Sequence, residues 1–107
     1  MAYVRTADEG TFQNHGGLNL FFRCWRPAKS PRGVLVIVPG FNSHIGYCQR
    51  VGSALSAAGV AVYAVDLRGR GASDGERFFV DRVDDYVDDV AAFVALVRSY
   101  EPSLSRP

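Results

Sequence analysis

Apolar and polar positions along the chain divide it into short runs of alternating period. Thr11–Gln13 alternates weakly, and Leu18–Trp25 (LNLFFRCW) is a strong strand candidate. Asn14-His15-Gly16-Gly17 lies between them. These residues suit a turn with positive φ, so the two runs are expected to form an antiparallel hairpin. Val34–Val38 is an unbroken apolar run that stops at Pro39-Gly40, which reads as a strand buried on both faces. Tyr47–Ala58 has helical spacing, with Tyr47, Val51, Ala54, Leu55 and Ala58 on one face and Gly59 placed to close the helix. Val60–Val65 is a second buried strand, ending at Asp66. Gly33–Asp66 is thus expected to be a βαβ unit with a right-handed crossover. After a glycine-rich loop, Leu67–Arg77, the clearest helix runs over Asp81–Arg98. Its apolar face is Val83, Tyr86, Val87, Val90, Phe93, Val94 and Val97. Asp81 is the expected N-cap and Pro102 the stop.

The 107 residues correspond to one domain at most, residues 1–107. An apolar share of 48% with 21% charged residues belongs to a globular chain rather than a disordered one. The net charge is +1 with scattered basic residues, which argues against a nucleic-acid surface. No apolar run approaches the ~20 residues of a membrane span, and the N-terminus lacks the apolar core of a signal peptide. At most peripheral membrane contact and a cytoplasmic location are expected. Cys24 and Cys48 have no metal or redox spacing and read as small buried hydrophobes. No cofactor is implied.

Three motifs invite chemistry. Gly71-Ala72-Ser73-Asp74-Gly75 matches the G-x-S-x-G of a nucleophile elbow. An elbow needs a strand running into it and a helix leaving it, but here the strand ends at Asp66 and Glu76–Val80 starts no helix. Both histidines, His15 and His44, also lie upstream, against the Ser…Asp…His order. Ser73 therefore reads as a loop hydroxyl that satisfies backbone. Gly69-Arg70-Gly71 lacks the third glycine of a dinucleotide loop, since position 74 is Asp74, so a nucleotide-binding domain is a minor alternative. Asp84, Asp85, Asp88 and Asp89 lie largely opposite the apolar face of their helix and read as a solvated surface, not a cation site. The loop at Pro39–His44, leaving the carboxyl end of a buried strand, remains as the place for ligand chemistry through backbone N–H groups.

Gly40-Phe41-Asn42-Ser43-His44 matches the end of an H-G-x-x-x-H loop, and Asp66 to Gly75 matches D-x-x-G-x-G-x-S-x-G. With FFRCWRPA upstream, these stretches resemble the N-terminal part of a monoacylglycerol lipase-like (serine aminopeptidase-like, S33-type) α/β-hydrolase, over roughly residues 10–102. The resemblance implies an α/β fold: the N-terminal half of a three-layer hydrolase sheet, strand order 1-2-4-3-5, with strands 1 to 4 and two helices present. It also implies that the Phe41 backbone N–H is one oxyanion-hole donor and that Gly40, Asn42, Ser43 and His44 line the substrate loop. Asp66, Arg68, Gly69 and Gly71 would shape the neighbouring loop. One departure is Pro39, where the family usually has His; proline removes a donor and fixes φ but spares the Phe41 N–H.

In the family, the elbow, the acid, the base and the cap come after the position of Pro107. The 107 residues are therefore expected not to hydrolyse esters alone, because losing the nucleophile of a triad costs ~10⁶ in turnover. Two readings follow. One is a segment of a serine hydrolase acting on lipid or small esters; the other is a truncated, non-catalytic interaction module. In both, Val34–Val38 becomes an exposed apolar edge, with a homo-oligomer or a complementing C-terminal half as the expected partner.

Overall fold

The computed structural model describes residues 8–14, 16–38, 49–69, 73–75 and 82–101. The hairpin strands are β1 (Asp8–Gln13) and β2 (Asn19–Trp25), followed by β3 (Gly33–Ile37), α1 (Gln49–Ala57), β4 (Val60–Val65) and α2 (Val83–Tyr100). β1 is longer than its weak alternation indicated, pairing along its whole length from Asp8↔Cys24 to Gln13↔Asn19. The turn between β1 and β2 is built as its residues require. Asn14 Oδ1 accepts from the N–H groups of Gly16 and Leu18, both at 2.9 Å, and Gly17 sits at φ +82°. His15, Tyr47 and Cys48 lie outside the described residues.

The sheet order is β1-β2-β4-β3. β2 pairs antiparallel with β4, and β3 pairs parallel with β4 in the register Gly33↔Val60 to Ile37↔Ala64. This is the order the resemblance implies, and among the described strands β3 is an edge, with Leu35 39% exposed. Successive residues of β4 point to opposite faces. Ala61, Tyr63 and Val65 join Leu20, Phe22, Phe93 and Val97 in one core cluster. Val62 and Ala64 join Trp25 in another, with Leu55 packed against it. α2 therefore covers one face and α1 the other. No described helix is long and apolar enough to cross a membrane.

α1 does not bury the face its apolar spacing indicated. Val51 is 46% exposed, Ala54 and Ala58 are exposed, and the buried residues are Gly52, Ser53 and Ser56. Trp25, fully buried beneath this helix, explains the difference. A Cβ at Gly52 would stand 2.2 Å from the indole ring, so only a residue without one lets the helix approach this closely. Trp25 Nε1 donates to Gln49 Oε1 at 3.3 Å, fixing the first turn over the ring. Gly59, at φ +94°, closes the helix as expected.

In α2 the N-cap position falls on Arg82, in extended conformation (φ −140°, ψ 146°) and without a side-chain cap; Asp81 lies outside the described residues. The helix continues to Tyr100, two residues past the expected end, and the Glu101 N–H donates to the Val97 carbonyl at 3.0 Å. Phe93 and Val97 are buried, but Val83 and Val87 are 73% and 59% exposed.

Gly52→Ala tests the close approach of α1. In an open helix this change stabilises by up to ~1 kcal/mol. Here overpacking against a buried indole reverses the sign, and a loss of roughly 1–3 kcal/mol is expected in urea unfolding.

Candidate functional site

The candidate site is at the carboxyl ends of β3 and β4, where the chain turns from buried strand to loop. β4 ends at Val65, and Asp66, the next residue, is 3% exposed. Its N–H donates to the Phe21 carbonyl at 2.9 Å, extending the pairing with β2 by one residue. Leu67 and Val38 then meet the first half of α2. With Tyr86, Val87, Val90 and Ala91 they line an almost wholly apolar groove of about 390 Å³.

The glycine-rich stretch after β4 is tied back to β2. Ser73 is 3% exposed; its Oγ donates to the Asp66 carbonyl at 2.6 Å and accepts from the Phe21 N–H at 2.7 Å. It is a backbone staple, as its context in the sequence indicated. Asp74 adds two bonds to Asn19: its N–H donates to the carbonyl at 2.8 Å, and its Oδ2 accepts from the N–H at 3.0 Å. Gly69, at φ +73°, donates to the Asp74 carbonyl, and a Cβ at Gly75 would stand 2.9 Å from the Gly69 nitrogen. Gly69 and Gly75 thus stand where backbone meets backbone.

Arg68 reaches from this loop to α2. Its Nε and Nη2 donate to Asp89 Oδ2 and Oδ1 at 2.7 and 2.8 Å, and Asn14 Nδ2 donates to Asp89 Oδ1 at 2.9 Å. Asp89 is 2% exposed. The expectation that it belongs to a solvated acidic face is thus corrected, although Asp84 and Asp88 are exposed and Asp85 is only partly so. Asp89, Phe93 and Val97 recur at intervals of four, so the signal was present in the helical spacing. What the sequence did not announce was the partner, since Arg68 and Asn14 come from two separate turns.

The far end of α2 has its own buried charge. Glu101, 4% exposed, accepts from Arg26 Nε and Nη2 at 2.6 and 2.8 Å and from the Tyr63 hydroxyl at 2.5 Å. The Arg26 bonds hold the Glu101 carboxyl below its usual pKa, against desolvation, with Tyr63 adding to the effect. Burial, then the bond to Glu101, pushes the Tyr63 phenol upward. Beside this cluster is a cleft of about 340 Å³ reached by Asp8, Glu9 and Tyr100. Cys24 lines it, a free thiol pushed up to about 11 chiefly by burial and so an inert thiol rather than a nucleophile. This cleft lies toward the amino end of β4, away from the edge where ligands of open α/β sheets bind.

Gly40, Phe41, Asn42, Ser43 and His44 lie outside the described residues, as do Pro39 and Gly71. The structure places the root of their loop, Val38, beside Leu67, and it brings Asp66, Arg68, Gly69 and Ser73 together around the exit of β4. Among the described residues no group of three His, Cys, Asp or Glu could hold a metal ion.

Two predictions follow from the buried charges. Arg68→Ala leaves Asp89 buried with Asn14 alone, and breaking a buried pair from one side costs about 3–5 kcal/mol in denaturant unfolding. Double replacement of Arg68 and Asp89 by apolar residues should lose clearly less. Glu101 has a depressed pKa in the folded state. Its contribution is therefore complete above the unfolded value of ~4.3 and fades as pH falls through the lower folded value. Thermal melts between pH 7 and pH 3 should show Glu101→Gln less stable at neutral pH, with a smaller further loss on the acid side than the parent chain.

The profile of the serine aminopeptidase S33 family matches residues 29–107. Monoacylglycerol lipase of Mycolicibacterium smegmatis is 35% identical over 101 residues, which are 94% of this chain and 36% of that protein. Human monoglyceride lipase is 31% identical over 91 residues, 85% of this chain and 30% of its own length. The chain thus spans about a third of the length of these relatives. A soluble variant of monoglyceride lipase from Saccharomyces cerevisiae, solved with a substrate analogue, superposes with a TM-score of 0.80 at 21% identity. The match covers all of this chain and 35% of that one. The matched family profile, the 35% identity to a lipase over nearly the whole chain and the superposition agree: the chain belongs to the serine aminopeptidase S33 family and has the fold of an α/β-hydrolase.

Proposed function

We propose that this chain is the N-terminal part of a serine ester hydrolase of the monoacylglycerol lipase or lysophospholipase type, acting on lipid or small esters. The observation that carries the reading is the 35% identity to the Mycolicibacterium smegmatis lipase over nearly the whole chain. The apolar lining of the groove at Val38 and Leu67 is compatible with an acyl substrate reaching this edge of the sheet.

In this reading the loop after β3 supplies electrostatic stabilisation rather than a reacting side chain. The Phe41 N–H donates to the oxyanion that forms when an ester carbonyl is attacked. A second donor comes from the residue after the nucleophile. Gly40 lets the backbone approach the substrate, and Asn42, Ser43 and His44 continue the loop around it. Asp66, Arg68, Gly69 and Gly71 hold the neighbouring loop at the distance the substrate needs. The nucleophile, acid and base come from polypeptide that follows in the longer relatives, so residues 1–107 alone are inactive. The site works inside the cell, at most in peripheral contact with a membrane.

Residues 1–107 alone should not cleave p-nitrophenyl esters above background. Joined to the part of the Mycolicibacterium smegmatis lipase that follows the aligned region, they should. In that joined enzyme Phe41→Pro removes the donor N–H, and kcat should fall by roughly 10²–10³ with a much smaller change in KM. An unchanged kcat would remove Phe41 from the oxyanion hole. The coding DNA after Pro107 gives an independent reading: a strand, G-x-S-x-G and a helix are expected there.

A further inference from the structure

We propose that the cleft of about 340 Å³ beside the carboxyl end of α2 binds a small organic ammonium ion. Asp8 and Glu9 supply the negative charge, and Phe22, Cys24, Tyr63 and Tyr100 supply a soft, largely aromatic lining. Its volume stands at the lower end of the ~300–1,000 Å³ range of small-molecule sites. The cleft and the groove at Val38 and Leu67 lie toward opposite ends of β4, so the inference is independent of the ester-hydrolase reading.

The sign of the charge comes first. Arg26 is the cation among the described lining residues, and its Nε and Nη2 are both spent on Glu101. Glu9 shares an exposed pair with Arg23 at 2.9 Å, which leaves its carboxylate half in water. Asp8 has no hydrogen bond or ion pair among the described residues and stands exposed at the mouth. Three carboxylates, Asp8, Glu9 and Glu101, thus face two guanidinium groups, Arg23 and Arg26. The Cys24 thiol reports the balance from the floor of the cleft. Burial is the largest cause of its raised pKa; the Asp8 charge comes next, ahead of the opposing Arg26. The cleft is therefore negative where a ligand would sit, and a cation is the ligand that offsets it.

The lining selects among cations. Tyr63 is fully buried and Phe22 is 6% exposed, so both form the floor. Tyr100, 50% exposed, is the wall, stacked on Tyr63 at 6.2 Å and tilted against Phe22 at 6.4 Å. Aromatic rings attract a cation electrostatically, and more so once it has shed water. Cys24 is 9% exposed and free, and its sulfur accepts no hydrogen bond among the described residues. A buried thiol left in this way offers a polarizable surface for methyl groups and a weak acceptor for N–H. A hard inorganic cation needs a shell of oxygen ligands, and no metal-holding group of three exists among the described residues. A neutral apolar molecule would leave Asp8 without compensation. An ammonium ion clothed in methyl or methylene groups satisfies both the charge and the lining.

Such a ligand is held and not turned over. The Tyr63 hydroxyl is committed to Glu101, and the Cys24 thiol, at about 11, stays protonated near neutral pH.

The test is an NMR titration of the 107-residue chain with tetramethylammonium chloride, with tert-butanol as the uncharged probe of similar shape. Where the chain alone does not stay in solution, its fusion to the part of the Mycolicibacterium smegmatis lipase that follows the aligned region takes its place. Saturable amide shifts are expected at Glu9, Phe22, Cys24 and Tyr100 in the millimolar range, with tert-butanol clearly weaker. Asp8 and Tyr100 are exposed, so their substitution leaves the core intact. Asp8→Asn should weaken binding about fivefold, the effect of one unit charge near contact distance in a water-like dielectric. Tyr100→Ala should weaken it as well, and Tyr100→Phe should restore it, because the ring face and not the hydroxyl meets the cation. Equal binding of tert-butanol, or an unchanged affinity in Asp8→Asn, would overturn the assignment of a cation. Shifts confined to other parts of the chain, or no saturable shift in the folded protein, would overturn the site. Ester cleavage by the fused enzyme is unaffected by any of these outcomes.

Discussion

The bidentate pair between Arg68 and Asp89 joins three parts of the chain that share no sequence neighbourhood. Arg68 belongs to the exit of β4 and Asp89 to the second turn of α2. Asn14, the third member, belongs to the β1–β2 turn. Asp89 is buried, so the pair adds little net stability over an apolar contact of the same shape. Its effect is on geometry. A guanidinium fork accepts few orientations of a carboxylate, so the pair fixes the rotation and height of α2 against the loop after β4. Ser73 and Asp74 then tie the same loop to β2. The surroundings of β4's carboxyl end are held by directional bonds, whereas the middle of the sheet is held by apolar packing.

α1 is held by a different means. Trp25 fills the space under the helix, and Gly52, Ser53 and Ser56 let the backbone come close to it. The apolar positions of this helix are not its buried positions. Periodicity alone assigns the core to Val51, Ala54, Leu55 and Ala58, of which Leu55 packs against the Trp25 cluster while the other three are exposed, because periodicity weighs side-chain polarity and not the size of what lies opposite. Once a large aromatic faces the helix, volume decides which residues fit, and small residues win over apolar ones.

Much of the architecture was legible in the residues. The unbroken run Val34–Val38, the run Val60–Val65 and the turn at Asn14–Gly17 each specify their element by local rules, and the strand order followed from the resemblance. Ser73 was legible as a backbone staple because the apolar run Val60–Val65 stops well before its turn and the sequence after it has no helical pattern. The partners that let Asp89 and Glu101 be buried were not legible, because they lie up to 75 positions away, although the four-residue spacing of Asp89, Phe93 and Val97 put Asp89 on the inner face. For the loop from Gly40 to His44, resemblance is the sole guide. The chemistry we propose for it would be carried by backbone N–H groups, which any residue other than proline supplies, so side-chain identity says little about it.

The two carboxylates give α2 an uncommon division of labour. A surface helix usually sits by its apolar stripe, with charges left in water. Here one buried carboxylate anchors the second turn and another the carboxyl end, with Phe93 and Val97 packing between them. Val83 and Val87, two of the seven apolar positions in its repeat, remain outside the core and Val90 only borders the groove. An apolar stripe exposed over two turns serves no purpose for a helix already fixed by charge, and it carries the association hazard of any such patch. It is intelligible if the helix must hold its place while another segment packs against that side. The same constraint explains why the anchors are ionic. An apolar anchor can slide to cover its own stripe, whereas a bidentate pair in the second turn and a three-bond carboxylate at the carboxyl end keep the helix in register. The stripe then stays open beside the edge where the loop after β3 begins.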